Sequence, residues 1–208
     1  MARNTGPVCR ICRRLGDKLY LKGEKCFTPK CAFERRPYAP DKRSQRRRKV
    51  SDRGLQLREK QKARAVYAVL ERQFQRYYKE AVQRHGVTGE NLLRTLELRL
   101  DNAVYRLGFA DSRSQARQVV LHGHISVNGR KAAIPSHVLK PLDAVGWTDR
   151  GRKSQYFAVV KEQVGGKSVP SWLSLEAASM TGRVLALPEV EETGAKFNLA
   201  TIVEYYSR

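Results

Sequence analysis

All four cysteines of this 208-residue chain fall between positions 9 and 31, in the stretch "VCRICRRLGDKLYLKGEKCFTPKC". Their spacing is Cys9-x2-Cys12-x13-Cys26-x4-Cys31. The segment is too polar to build a core of its own, since seven of its other residues are Lys or Arg. A close pair such as Cys9 and Cys12 aims two thiolates at one point, and Cys26 and Cys31 supply the other half of a tetrahedron. Four soft thiolates suit a closed, structural zinc site, and a four-iron four-sulfur cluster is the alternative occupant of the same ligands. Two disulfides are the weaker reading, because no apolar export segment follows the first residues and a reducing compartment is expected. With no spare ligand position, the site is expected to stiffen the chain and not to catalyse.

Charge restricts the partner next. The chain carries 41 Lys+Arg against 20 Asp+Glu, a formal net charge of +21. Such a surface repels itself unless something anionic covers it. The excess lies in the first three quarters, and residues 161–208 are close to neutral. No stretch approaches the roughly 18 apolar residues of a membrane span, and the basic N-terminal region lacks the broad apolar face of a membrane-surface helix. Nucleic acid is the favoured partner. The tract "RRPYAPDKRSQRRRKVSDRG" concentrates this charge, and Arg46, Arg47, Arg48 and Lys49 are candidate phosphate contacts.

Beyond the tract, apolar spacing predicts one long helix over 55–84, with Val66, Leu70, Phe74, Tyr77 and Ala81 as its stripe. Gly86 ends it, and Thr88 is expected to cap a second helix. That helix carries Leu93, Leu96, Leu100, Val104 and Leu107 and closes at Gly108. Ser112, with Gln115 three residues on, reads as a capping box for a short helix that turns Val119 and Val120 inward and stops at Gly123. "ISV-NG-RKAAI" is an Asn-Gly hairpin signal, and "HVLKPLDAVGW" is expected to add a further strand pair. The polar side of this small module gathers Arg106, Ser112, Arg113, Gln115, Arg117, Gln118, His122, His124, Asn128, Arg130 and Lys131. Arg113 and Arg117 stand one turn apart, and the helix start at Ser112 offers backbone N–H groups to a phosphate. Such a surface suits the backbone of structured RNA better than base edges.

The fold class expected is α+β: a metal-stapled N-terminal segment over 1–45, a helical domain over 46–97 completed by 161–208, and an inserted RNA-binding module over 98–160. The module is read as two helices plus a twisted antiparallel sheet.

The run "LELRLDNAVYRLGFADSRSQARQVVLHGHISVNGR" closely resembles the RNA-binding module named after small-subunit ribosomal protein S-four, through Glu97, Arg99, Leu100, Asp101, Val104, Tyr105, Arg106, Gly108, Ser112, Ala116, Arg117, Val119 and Val120. RNA-modifying enzymes and synthetases carry that module too. "LREKQKARAVYAVLERQFQRYYKEA", the closing "IVEYYSR" and the four cysteines extend the resemblance over the whole chain, to the zinc-bearing bacterial form of the ribosomal family. It implies binding to the 5′ domain of 16S rRNA early in small-subunit assembly. It also implies contact with ribosomal protein S-five and other small-subunit proteins, and a place near the mRNA entry channel that influences decoding accuracy. Arg43 to Lys49 would serve the channel, and the near-neutral C-terminal segment part of the S-five contact. Members commonly carry Pro-Gly-Gln-His-Gly before the first long helix, where this chain reads "APDKRSQRRRKVSD".

Two rivals are weighed against this. An enzyme with the module as an appendage would need a catalytic domain, and residues 161–208 are too few to build one. The four histidines, His85, His122, His124 and His137, form no metal-ligand pairing with a carboxylate. A DNA-reading zinc finger would present a recognition helix and dimer symmetry, and neither is evident. Neither an enzyme, nor a membrane partner, nor a small-molecule substrate is expected.

Overall fold

The computed structural model describes residues 4–40 and 50–207; the tract residues Arg46, Arg47, Arg48 and Lys49 lie outside them. The chain divides into two compact units, the first made of Met1–Leu92 with Ala195–Arg208 and the second of Leu93–Gly194. This differs from the division drawn from sequence, because residues 161–194 belong with the module and not with the helical domain.

In the first unit, α1 (Val8–Leu15), a 3-10 turn at Gly23–Phe27 and α2 (Ala32–Arg35) carry the cysteines. α1 ends where Gly16 takes the left-handed conformation at φ 76° and its N–H donates to the Cys12 carbonyl at 2.9 Å, the usual work of a C-terminal glycine. The helix predicted over 55–84 is two helices, α3 (Asp52–Val66) and α4 (Glu71–Gln83). Between them Ala68 adopts φ 52°, and the break sinks Tyr67 and Val69 into the interior while Val66 and Leu70 stay only half-buried. Past the break the expected stripe holds, with Phe74, Tyr77 and Ala81 all buried. The last helix, α10 (Leu199–Ser207), packs on α3. There Tyr206 stacks on Tyr78 with ring centroids 4.6 Å apart. The Tyr206 hydroxyl donates to Glu71 Oε1 at 2.7 Å, and Lys60 donates to the same oxygen at 2.9 Å. The Lys60 ammonium also lies 4.4 Å from the Tyr205 ring centroid, a cation–π arrangement that offsets the burial of its charge.

Helix α5 (Thr88–Glu97) contains the division between the units. Its continuation, α6 (Leu100–Arg106), is offset by a break at Leu98–Arg99 that apolar spacing does not reveal. At that break Arg99 bridges Val138, Leu100 N–H donates to the His137 carbonyl at 2.8 Å, and Leu139 N–H donates to the Leu98 carbonyl at 2.8 Å. The stretch around Val138 is therefore tied to the helices and does not form the strand expected in the sheet.

The second unit places α7 (Arg113–Leu121) against α6. Its sheet has the order β2-β1-β3-β5-β4, with every neighbouring pair antiparallel. The strands are β1 (Ile125–Val127), β2 (Arg130–Lys131), β3 (Ala144–Trp147), β4 (Leu173–Glu176) and β5 (Thr181–Val184). β1 and β2 pair Val127 with Arg130 across Asn128 and Gly129, whose φ values of 50° and 75° match the expected Asn-Gly hairpin. A one-turn helix α8 (Asp149–Arg152) and α9 (Gln155–Gln163) follow β3. The core joins Leu100, Val104, Leu107 and Phe109 to Ile125, Val145 and Trp147, and β5 adds Val184. Trp147 packs against Phe109 and Phe157 at centroid distances of 5.6 and 5.1 Å. Gly182 lets β5 pass over the buried Leu107, whose side chain fills the space a Cβ would need.

Candidate nucleic-acid interface

The motif that carries the sequence resemblance is mostly a buried scaffold. Asp101 accepts from Arg99 Nε at 3.0 Å and from an Arg99 terminal nitrogen at 2.6 Å, while Arg117 donates to the same carboxylate at 3.0 Å. All three are buried. Glu97, fully buried, accepts two bonds from Arg106 at 3.0 and 2.8 Å and one from Asn102 at 2.7 Å. Arg106 also donates to the Thr193 carbonyl at 2.7 Å. Planar guanidiniums answered by two-oxygen partners are the arrangement in which buried charge is tolerated.

Two of the expected RNA-facing arginines are engaged within the protein. Arg117 is buried and Arg106 is partly exposed, and together they hold α5, α6 and α7 in fixed relation, because each finds a carboxylate that helical spacing alone could not place. Arg113 is intermediate: its Nε donates to Asn102 Oδ1 at 2.7 Å and its guanidinium covers the Tyr105 ring at 4.5 Å, while the residue remains partly exposed.

The start of α7 is also more closed than expected. Gln115 N–H donates to Ser112 Oγ at 3.3 Å, as the capping box predicts. Gln115 Oε1 reaches past the cap to accept the Asp111 N–H at 2.9 Å. The Gln115 amide expected to meet phosphate is thus answered within the protein, and the Asp111 carboxylate takes Lys167 at 2.7 Å.

The remaining expected contacts are at the surface. Gln118, His122, Asn128, Arg130 and Lys131 are exposed, and Ser112, Gln115 and His124 are half-buried. Asn128 has its own structural work, donating to Asp143 at 2.8 Å and accepting the Ala144 N–H at 2.8 Å. His122 and His124 stand edge to face at 5.9 Å. Burial lowers the His124 pKa, and the His122 and Arg150 charges lower it further. The exposed residues Arg150, Arg152 and Lys153 beside this turn were missed from sequence. The run "DRGRK" after a predicted strand was the signal that could have found them.

At the other end of the chain, the four thiols line one cavity of about 10 Å³ together with Val8, Leu21 and Phe33, about the size of a single water-sized guest. None is cross-linked. Backbone N–H groups serve two of them, Lys22 donating to Cys26 Sγ at 3.3 Å and Leu19 to Cys12. Burial pushes the Cys12 thiol up, the Leu19 amide lowers it, and the charges of Cys26, Cys9 and Cys31 raise it again. The donor set fits a soft cation. Yet among the described residues no group of three or more His, Cys, Asp or Glu side chains is arranged to hold a metal ion. Protein contacts order the segment: Leu19 is buried, and Arg13 donates to the Arg36 and Tyr38 carbonyls at 3.0 Å each while covering the Tyr38 ring.

Two helices locked by buried ion pairs, set against a small antiparallel sheet with exposed cations on its hairpin, define an RNA-binding module of the S4 type. Residues 98–145 match the family model described as "S4 domain", and residues 3–97 match "Ribosomal protein S4/S9 N-terminal domain". The chain is 54% identical to the small ribosomal subunit protein uS4 of Heliobacterium modesticaldum over 208 residues, covering the whole of both chains. It is 53% identical to that of Pelotomaculum thermopropionicum over the same length, and 54% identical to that of Dictyoglomus thermophilum over 211 aligned positions, again covering both chains fully. The chain belongs to the ribosomal protein S4 family.

Proposed function

We propose that this chain is a structural constituent of the small ribosomal subunit, resident in the cytoplasm, that binds the subunit's RNA directly. The observation that carries this is likeness over the entire length. An S4 module alone is compatible with an RNA-modifying enzyme, but here the likeness to small ribosomal subunit proteins uS4 runs over the whole of both chains. It is not an enzyme. Among the described residues no helix is long and apolar enough to cross a membrane.

The geometry suits this role. Buried guanidinium–carboxylate pairs fix α5, α6 and α7, so the exposed cations of the module are positioned before RNA arrives and little ordering cost remains at binding. The finer reading is binding in the 5′ domain of 16S rRNA during early assembly, contact with ribosomal protein S-five, and a place near the mRNA entry channel that affects accuracy. It is supported by the family resemblance and by the basic tract Arg43 to Lys49. Filter binding tests the central reading. The protein should prefer folded 16S rRNA to duplex DNA, and its affinity should fall steeply with salt. Equal or stronger binding to duplex DNA would refute it.

Cys9, Cys12, Cys26 and Cys31 are proposed to hold zinc, which would neutralise converging thiolates and supply rigidity where the segment has little apolar core. The four-iron cluster is the alternative occupant. The purified protein should contain one zinc per chain. Cys26→Ser should release it and loosen residues 4–40 while the unit Leu93–Gly194 stays folded. Metal-free protein with four intact thiols would refute the zinc assignment.

A further inference from the structure

The seam between the α7–β1 turn and α8 joins Gly123, His124 and Lys131, inside the S4-domain match over residues 98–145, to α8, which lies beyond that match, and it carries exposed cations. Its backbone is tightly built. Thr148 N–H donates to the His124 carbonyl at 2.9 Å and Thr148 Oγ1 donates to the Gly123 carbonyl at 3.0 Å. The same oxygen caps α8 by accepting Gly151 N–H at 3.1 Å. A Cβ at Gly151 would stand 2.5 Å from the His124 carbonyl oxygen, so α8 can approach this closely only through a glycine. On the other side, Gly123 at φ 72° makes room for the Lys131 arm, whose Nζ lies 3.0 Å from where a Cβ would be.

Lys131, His122, His124 and Arg150 thereby lie along one seam. Lys153, three residues after Arg150, shares its side of the helical turn. Lys131, Arg150 and Lys153 are exposed, and among the described residues none of them takes part in an ion pair. Asp149 is the adjacent carboxylate, exposed in the first turn of α8. Arg152 is different: it turns to the Trp147 and Ser179 carbonyls at 3.5 and 3.4 Å. Exposed cations gathered together repel one another, and an arriving polyanion relieves that cost.

We infer that this seam is a phosphate-backbone contact for the RNA that runs past the end of the matched S4 domain, with Arg150 and Lys153, beyond that match, joining Lys131 as its phosphate ligands. The inference rests on the reading of the chain as an rRNA-binding protein. The test is equilibrium binding of the full chain to 16S rRNA across a salt series, comparing wild type, the Arg150→Ala/Lys153→Ala double variant, and Lys161→Ala as an exposed control on α9. Each phosphate contact removed makes the log–log salt slope shallower by about 0.7–0.9. The double variant should therefore flatten the slope by roughly 1.4–1.8 and bind more weakly, with melting unchanged. Lys161→Ala should match wild type, and Arg150→Lys/Lys153→Arg should restore the slope. A double variant with wild-type affinity and slope, or with weakened binding at an unchanged slope, overturns the inference while leaving the proposed function standing. Failure of the wild type itself to bind 16S rRNA overturns the function.

Discussion

Replacing Asp101 with Ala tests whether the resemblance motif is scaffold or contact surface. The Asp101 carboxylate receives three hydrogen bonds at 2.6–3.0 Å from Arg99 and Arg117, and both arginine side chains are less than a tenth exposed. Removing it leaves two buried guanidiniums without the anion they share. Breaking such a buried pair costs about 3–5 kcal/mol. With a urea dependence of about 2 kcal/mol per M, the unfolding midpoint should fall by roughly 2 M. Both tryptophans, Trp147 and Trp172, sit in the core of the unit that holds the triad, so fluorescence reports its unfolding specifically. Arg117→Met should cost less than half as much, because Asp101 keeps its two bonds from Arg99 and an apolar chain of similar length fills the space. Folded Arg117→Met protein should also keep the wild-type salt slope for 16S rRNA. The reasoning is refuted if Asp101→Ala loses less than about 1 kcal/mol, if Arg117→Met is the more damaging change, or if Arg117→Met flattens the slope.

Other outcomes follow from single contacts. Burial alone would raise the Glu71 pKa, but hydrogen bonds from Lys60 and Tyr206 and the charges of Lys60 and Arg64 hold it below its ordinary value. Its stabilising contribution is therefore complete above about pH 5 and is lost as pH falls through the lowered folded value. The stability gap between wild type and Glu71→Gln should close on acidification in a urea series, and a gap constant down to pH 3 would contradict this. Gly182→Ala forces a methyl group against the fully buried Leu107; it should cost about 1–3 kcal/mol, read as a lower melting temperature. Tyr206→Phe removes one hydrogen bond to Glu71 and should cost about 0.5–1.5 kcal/mol, measured by urea unfolding. An unchanged midpoint would show that α10 does not depend on that bond.

Features written in a few consecutive residues were legible from the sequence. Ser112 caps α7, Asn128-Gly129 turns the hairpin, Gly123 ends the helix before it, and Phe74, Tyr77 and Ala81 line one side of α4. Each depends on backbone preference or helical period, both local properties. The same signals erred where a distant segment competed. Apolar spacing runs unbroken through Tyr67–Leu70 and Leu98–Arg99, yet the chain breaks at both. At the second break, His137 and Leu139 offer backbone partners that a continuous helix could not use.

Sequence by itself determined the cationic excess, the clustering of the thiols, the family and the local caps and turns. Tertiary structure decided which cations remain outside. Arg106 and Arg117 read as surface residues by period, but Glu97 and Asp101 meet them inside the fold, and the low polarity there makes those pairings compulsory. Arg150 and Lys153, ordinary in sequence, became part of a cationic seam because Gly151 lets α8 close onto the His124 backbone. A charge's role is set by which partner lies within hydrogen-bond reach, and only the folded chain determines that distance.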